Sequence, residues 1–263
     1  MNILKDKNIK ENIISYAQRG DGLGAQYHGY LSVIAFCEYH DLNFKHTQFS
    51  SIGKYWKNGG AKPLDENDKI ETYSENEISK INNFFGFPYE EESYEKKVVK
   101  SFPYINEVFK DPDKYFNPSF LSKIRNYYNS SVKPNIEFEK YIVIHIRRGD
   151  VSSTKNSDRF IPNIIYNKLI EYLSEKYKDY SIHIVSDGNE NDFKDIKNDK
   201  IIYHLYEDIL FSYHLMVTAD ILIPSISSLS MTASLLNANK IYHIFDGIRA
   251  VPLSSWISLR EII

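Results

Sequence analysis

Short apolar runs alternate with helical segments throughout the second half of the chain. The apolar runs predict strands at 140–146, 180–186, 200–204, 220–224 and 240–245. Helices are predicted between most of them, at 161–178, 206–218 and 228–236. Strands and helices that alternate in this way imply right-handed crossovers between parallel strands. The sequence therefore predicts an α/β fold with a mostly parallel, doubly wound sheet.

The first half of the chain has a less regular pattern. It predicts strands at 12–18 and 42–49, loops at 19–24 and 54–69, and helices from 24 to about 39, at 77–85 and at 112–128. A short polar stretch at 130–137 separates the two patterns. We therefore expect an N-terminal half at 1–130 and a C-terminal half at 131–263, with a ligand held in the crevice between them.

Composition limits the classes of protein to which this chain can belong. The 263 residues are 42% hydrophobic, which is enough to build one large or two small domains. A net charge of −3 without a basic run argues against a nucleic-acid-binding protein. A single cysteine, Cys37, excludes an intramolecular disulfide. No apolar segment is long enough for a signal peptide or a membrane anchor, so we expect a soluble cytoplasmic protein.

The strand predicted at 140–146 ends in a charged turn of sequence Arg147, Arg148, Gly149, Asp150. Ligands of open α/β sheets bind at the carboxyl ends of strands, and the planar donor fork of arginine suits a phosphate or a diphosphate. Side chains alternate along a strand, so His145 shares a face with Arg147, whereas Arg148 faces the other way. We expect one arginine to bind phosphate and the other partly to build the site. The alternative is a surface pair in an exposed turn.

Three other segments place polar groups at predicted strand ends. Ser225, Ser227 and Ser228 lie at the start of a helix, where hydroxyls and helix N–H groups could hold a phosphate or could simply cap the helix. Asp187 follows another strand and could bind a ribose or cap a turn. The glycines at 20–24 resemble neither a dinucleotide fingerprint nor a P-loop, and a plain tight turn explains them equally well.

Taken together, these segments resemble one known group of enzymes. Residues 145–150 (HIRRGD) resemble the HxRRxD signature of the fucosyltransferase superfamily, which includes α-1,2-, α-1,6- and protein O-fucosyltransferases. The form is closest to the α-1,2 branch, glycosyltransferase family 11. Residues 22–26 resemble the N-terminal glycine loop of that superfamily, 186–187 its second motif and 215–229 its third.

The resemblance implies a GT-B type architecture, with two Rossmann-like halves whose mostly parallel sheets face a cleft. It also implies an inverting, metal-independent transfer of fucose from GDP-fucose to a hydroxyl of a glycan, with no cofactor apart from this donor substrate. The C-terminal half would bind the donor and the N-terminal half the acceptor. The implied catalytic residues are Arg147, Arg148 and Asp150, and the implied donor-binding residues are Gly22, Gly24, Gln26, His145, Arg147, Arg148, Asp187, Asp208, Ser225, Ser227 and Ser228.

The sequence departs from the fucosyltransferase motifs at some positions, and these departures leave other functions open. Ser212 stands where the superfamily has an acidic residue that reads guanine, and Asp208, one helical turn earlier, is the expected substitute. A non-catalytic nucleotide-sugar or glycan-binding module, or a transferase for another GDP-sugar, would carry the same arginines and serines. A metal-dependent transferase would have to use Asp111 and Asp113, which helix capping explains better. The candidate general bases are Asp150, Asp21 and His28.

Overall fold

The computed structural model describes residues 13–17, 21–54, 72–90, 96–99, 101–196, 198, 200–245 and 251–263. The described chain forms two compact units, the first extending to residue 132 and the second beginning at residue 133. Of the loop predicted at 19–24, residues 19 and 20 lie outside the described residues, and helix α1 already begins at Leu23. The loop predicted at 54–69 lies outside them except for Lys54, so that prediction is untested.

The described residues of the first unit form two short parallel strands and five helices. Strand β1 pairs with β2 so that Ile14 lies opposite Lys97. The elements are β1 (Ile13–Tyr16), α1 (Leu23–Tyr39), α2 (Glu75–Phe85), β2 (Lys96–Val99), α3 (Ser101–Lys110), α4 (Pro112–Tyr115) and α5 (Pro118–Asn129). Helix α1 confirms the predicted strand–loop–helix order, whereas β2 and α3 were not predicted.

The strand predicted at 42–49 is wrong. Within it, Phe44 forms only an isolated bridge with Ile14 of β1. At Phe49 the backbone pairs with the side chain of Asn82 instead of a neighbouring strand. The Asn82 Nδ2 donates to the carbonyl of Phe49 at 2.8 Å, and its Oδ1 accepts from the Phe49 N–H at 2.9 Å.

The single helix predicted at 112–128 is also wrong, because two helices occupy that segment. Helix α4 ends at Tyr115 and α5 begins at Pro118. Proline has no N–H to donate into a preceding turn and disfavours helical backbone in the residue before it. Asn117 starts the second helix by accepting the Phe120 N–H on its side-chain oxygen at 3.1 Å.

The described residues of the second unit form a six-stranded sheet, and α-helices connect three of the successive strand pairs, β3 to β4, β5 to β6 and β6 to β7. All five neighbouring strand pairs are parallel, in the order β5-β4-β3-β6-β7-β8. The prediction of an α/β fold with a mostly parallel sheet is confirmed. The elements are β3 (Tyr141–Ile146), α6 (Asn163–Lys176), β4 (Ser181–Ser186), β5 (Ile201–Leu205), α7 (Ile209–Thr218), β6 (Ile221–Ile223), α8 (Ser228–Leu236), β7 (Lys240–His243) and β8 (Ile257–Ser258).

Strand β3 lies at the centre of this sheet, and all six of its residues are buried. Helix α6 contributes Tyr166, Leu169 and Leu173 to the core cluster that also contains Ile142 and Ile144. Burial on both faces explains why the strand is a nearly continuous apolar run in the sequence. A strand held in this way gives a rigid base to the charged turn that follows it.

Counted within the unit, the strand order is 3-2-1-4-5-6, which is the order of the Rossmann fold. The chain runs from β3 outward to β4 and β5, then crosses back to β6 on the other side of β3. The direction of winding therefore reverses between β3 and β6. In folds of this kind the ligand binds at such a switch point, outside the carboxyl ends of the two strands.

Candidate functional site

A buried hydrogen bond joins the two sides of the switch point. His145, near the carboxyl end of β3, shares it with Ser225, which follows β6, at 2.7 Å between Nδ1 and Oγ. Both side chains are buried. Burial, assisted by the charge of Arg147, lowers the pKa of His145 to about 3. The imidazole is therefore neutral at neutral pH and connects the two strand ends without adding charge.

Arg147 lies at the switch point and is only partly buried. Its Nε and Nη2 donate to the two carboxylate oxygens of Asp150 at 2.7 and 2.6 Å. Its Nη1 donates to the backbone carbonyl of Ile226 at 3.3 Å. One edge of the guanidinium fork is therefore fixed by Asp150, and the group is directed toward the segment that leads into α8.

Asp150 is held in its ionised form by this contact. Burial by itself would raise the pKa of Asp150, but the hydrogen bonds and charge of Arg147 outweigh burial and lower it. An ionised carboxylate at this position can orient the arginine, and it also competes with any anionic ligand for the same N–H groups. The contact gives Asp150 a positioning role for Arg147, and its role as a general base stays a prediction.

Arg148 is buried and its guanidinium is directed into the protein. Nη1 donates to the carbonyl of Arg147 at 2.8 Å, and Nη2 donates to the carbonyl of Ile161 at 2.8 Å and to Asn163 Oδ1 at 2.7 Å. The Phe160 ring lies 4.6 Å from its central carbon. Three of its five N–H groups are thus used within the protein, which makes Arg148 a positioning residue for the turn that carries Arg147.

Asp187 stabilises the same turn from the neighbouring strand end. Its Oδ1 accepts the backbone N–H of Arg148 at 2.6 Å, and the N–H of Gly149 also donates to this carboxylate. Burial outweighs these bonds and raises the pKa of Asp187. Of the two roles expected for Asp187, the structure shows the turn cap, and its carboxylate is not free to bind a ribose.

Two glycines allow the turns after β3 and β4 to pack closely. A Cβ added to Gly149 would lie 2.9 Å from Asp187 Oδ2, and one added to Gly188 would lie 2.7 Å from the Cβ of Arg148. Real Cβ atoms do not approach other atoms this closely. The close approach of the two turns therefore depends on glycine at both positions.

The N-terminus of α8 forms the other side of the switch point. Within the described chain, the Ser227 side chain occupies the N-cap position but makes no capping hydrogen bond, and Ser227 and Ser228 are half-buried. The first N–H groups of a helix have no partner within that helix, and they carry partial positive charge. This terminus therefore suits an anion that Arg147 also contacts.

The N-terminus of helix α7, unlike that of α8, is capped by a side chain. Asp208 caps it, because its Oδ1 accepts the N–H groups of Leu210 and Phe211 at 2.9 and 3.0 Å. Asp208 is exposed at the carboxyl side of β5. Its expected contact with the nucleotide base stays a prediction, and the structure assigns it a capping role.

Gly22, Gly24 and Gln26 lie in the first unit. Gly22 is the N-cap of α1, and Gly24 lies in its first turn. The buried Gln26 amide donates to the carbonyls of Ser51 at 2.6 Å and Asp21 at 3.3 Å. In this structure Gln26 therefore supports the loop, and its contact with a donor stays a prediction.

Sequence reasoning missed Asn163, which anchors the guanidinium of Arg148. Its only signal in the sequence is a polar residue directly after Pro162, at the first position of the crossover helix.

Among the described residues, no helix is both long and apolar enough to span a membrane, and no group of three or more His, Cys, Asp or Glu side chains could bind a metal ion.

The second unit is thus a doubly wound α/β unit with a candidate phosphate-binding site at its switch point. No protein-family model and no curated protein matches the chain. Solved structures similar to it include NodZ α-1,6-fucosyltransferase soaked with GDP-fucose, which is 10% identical at a TM-score of 0.41, with 86% of this chain and 92% of that one covered.

Two further structures are similar at the same level. POFUT1 in complex with GDP-fucose is 11% identical with a TM-score of 0.42, and the match covers 95% of this chain and 97% of that one. A mutant of Arabidopsis thaliana FUT1 with GDP is 11% identical with a TM-score of 0.44, covering 93% and 72%.

Proposed function

We propose that the protein is a glycosyltransferase that transfers fucose from GDP-fucose to a hydroxyl group of a glycan. The observation that carries this proposal is the position of Arg147 beside the N-terminus of α8, at the switch point of a parallel sheet. A fixed guanidinium and free helix N–H groups together suit a diphosphate. The resemblance of residues 145–150 to the fucosyltransferase signature supports fucose as the transferred sugar.

Transfer with inversion is a direct displacement at the sugar C1. The acceptor oxygen forms a bond to C1 while the bond from C1 to the β-phosphate oxygen breaks, and the acceptor proton passes to a base. Negative charge grows on the β-phosphate as GDP leaves. Arg147 and the N–H groups of α8 would therefore bind the transition state more tightly than the substrate, which lowers the barrier without a metal ion.

The remaining residues of the turn would support this chemistry. Arg148 and Asp187 hold the backbone around Arg147, and His145 fixes Ser225 ahead of α8. In the proposed GT-B arrangement, the half at 131–263 binds most of the donor and the half at 1–130 binds the acceptor. Gly22, Gly24 and Gln26 of the first half would add contacts to the donor.

A donor screen tests the proposal. Thermal unfolding would be followed with GDP-fucose, GDP-mannose and UDP-sugars in the presence of EDTA, since a ligand that binds the folded state raises the Tm. We expect a rise with GDP-fucose that is smaller with UDP-sugars, and release of GDP when a suitable glycan is added. No rise with any GDP compound would contradict the proposal, and binding without turnover on a broad glycan panel would favour a non-catalytic module.

A further inference from the structure

Tyr206 has an unusual backbone conformation for its residue type. Three non-glycine residues have a positive φ angle in the part of the chain that the structure describes: Asp41 at 53°, Asn156 at 49° and Tyr206 at 60°. Asp and Asn tolerate this left-handed region because their short side chains form local hydrogen bonds. A tyrosine has no such compensation, and strained residues of this kind cluster at functional sites.

The side chain of Tyr206 is accessible to a ligand. It is 53% exposed, although it directly follows Leu205, the last residue of β5. A tyrosine ring normally buries much of its apolar surface. Exposure combined with a strained backbone therefore makes this residue unlike the buried tyrosines of the core.

The position of Tyr206 relates it to the switch point. Strand β5 is separated from β3 by β4 alone, and all three strands run in the same direction. Their carboxyl ends lie on one edge of the sheet, two strand spacings or about 10 Å apart across β3 and β5. A nucleoside diphosphate whose phosphates are bound at Arg147 could extend its base over a comparable distance along this edge.

We propose that Tyr206 is the stacking platform for the nucleobase of the bound nucleoside diphosphate. This inference rests on the proposed function and adds a binding residue for the base. Every base presents a flat π-face, so an aromatic ring binds it by stacking. The constrained backbone at Tyr206 would fix the direction of the ring before the ligand arrives, which reduces the entropy lost on binding.

Paired substitutions distinguish the effect of the Tyr206 ring on binding from the effect of its backbone conformation. Tyr206→Asn removes the ring and keeps a residue that tolerates positive φ, so this variant should fold with a Tm at least equal to that of the wild type. Tyr206→Phe keeps the ring. Tyr203→Asn is the matched control, because Tyr203 is also half-exposed on β5 but its ring lies 5.8 Å from that of Phe193.

Calorimetric titrations with GDP and with inorganic pyrophosphate give the readout. Loss of base stacking should weaken GDP binding to Tyr206→Asn roughly 5- to 150-fold and leave pyrophosphate binding unchanged. Tyr206→Phe and Tyr203→Asn should bind both ligands like the wild type. Wild-type affinity for GDP in Tyr206→Asn, or an equal loss for both ligands, would overturn the inference alone. Failure of the wild-type protein to bind either ligand would overturn the proposed function together with the inference.

Discussion

The guanidinium of Arg148 donates a hydrogen bond to the backbone carbonyl of Arg147 at 2.8 Å, so the second arginine of the pair holds the first in place. The two side chains contact different parts of the protein: Arg147 binds Asp150 and the carbonyl of Ile226, whereas Arg148 binds Ile161 and Asn163. One guanidinium is enclosed by the protein and the other lies at the switch point. The two arginines should therefore respond differently to substitution.

Arg148→Ala should mainly destabilise the protein. The substitution removes three hydrogen bonds and leaves the carbonyls of Arg147 and Ile161 without their donor. Each buried group left unsatisfied costs ~1–3 kcal/mol. Urea unfolding should show a loss of ~2–4 kcal/mol in the free energy of unfolding. A variant as stable as the wild type would show that the guanidinium does not support the turn.

Arg147→Ala should mainly reduce turnover. Removing one donor that stabilises a developing oxyanion typically lowers kcat by ~10²–10³-fold. The Tm should fall as well, because the side chain is only 19% exposed and its loss leaves the Asp150 carboxylate without its ion pair, so turnover is compared at a temperature where the variant is folded. Arg260→Ala, which removes an exposed arginine of the same unit, is the control for loss of positive charge. Wild-type turnover in Arg147→Ala would exclude a role of this arginine in transfer.

Asp150→Asn should remove a pH-dependent part of the stability. The pKa of Asp150 lies below the ordinary value because Arg147 outweighs burial. A carboxyl whose pKa is lowered on folding stabilises the folded state fully above its unfolded value of ~3.9, and this stabilisation is lost as the pH falls through the lower folded value. The difference in unfolding free energy between wild type and Asp150→Asn should be largest near neutral pH and should disappear in acid. A difference that does not depend on pH would contradict this assignment.

The protein should tolerate replacement of the Asp187 carboxylate by an amide, but not removal of the side-chain oxygen. Burial raises the pKa of Asp187, so the folded protein does not favour its charge, and the side-chain oxygen of Asn can accept the same N–H of Arg148. Asp187→Asn should be within ~1 kcal/mol of the wild type, whereas Asp187→Ala should lose ~1–3 kcal/mol. Equal unfolding free energies for the two variants in urea would argue against the capping contact.

Ser227 and Asp208 occupy equivalent positions on α8 and α7, but only Asp208 makes a capping hydrogen bond in the described structure. Asp208→Ala should therefore cost ~1 kcal/mol of stability, the usual value for a lost cap. Ser227→Ala should change stability by less than ~0.5 kcal/mol and weaken binding of the donor diphosphate. A Ser227→Ala variant with reduced stability and unchanged donor affinity would make this serine an ordinary cap.

The sequence predicted the second unit well because its central strands, β3, β4 and β6, are almost entirely buried. Such strands are continuous apolar runs, and β3 and α8 lie within one residue of their predicted bounds. The first unit was harder to predict, since Asn82 replaces a neighbouring strand at Phe49 through its side chain. The periodicity of apolar residues does not predict a contact between a side chain and a distant backbone segment.

The candidate site was predictable only in part: the different roles of the two arginines could be expected, but the residues that contact them could not. Alternation along β3 was enough to expect two different roles for Arg147 and Arg148. The partners that decide which arginine is enclosed come from Phe160, Ile161 and Asn163, at the far end of a loop. The path of such a loop depends on tertiary packing, which local sequence patterns do not encode.

The central claim is that Arg147 and the N-terminus of α8 bind the diphosphate of a GDP-sugar. Its most direct test is a calorimetric titration of the wild-type protein with GDP-fucose in EDTA, repeated with Arg147→Ala. We expect saturable binding at one site per chain that inorganic pyrophosphate competes away and that Arg147→Ala largely loses. Absence of binding to the wild type, or equal affinity in Arg147→Ala, would contradict the claim.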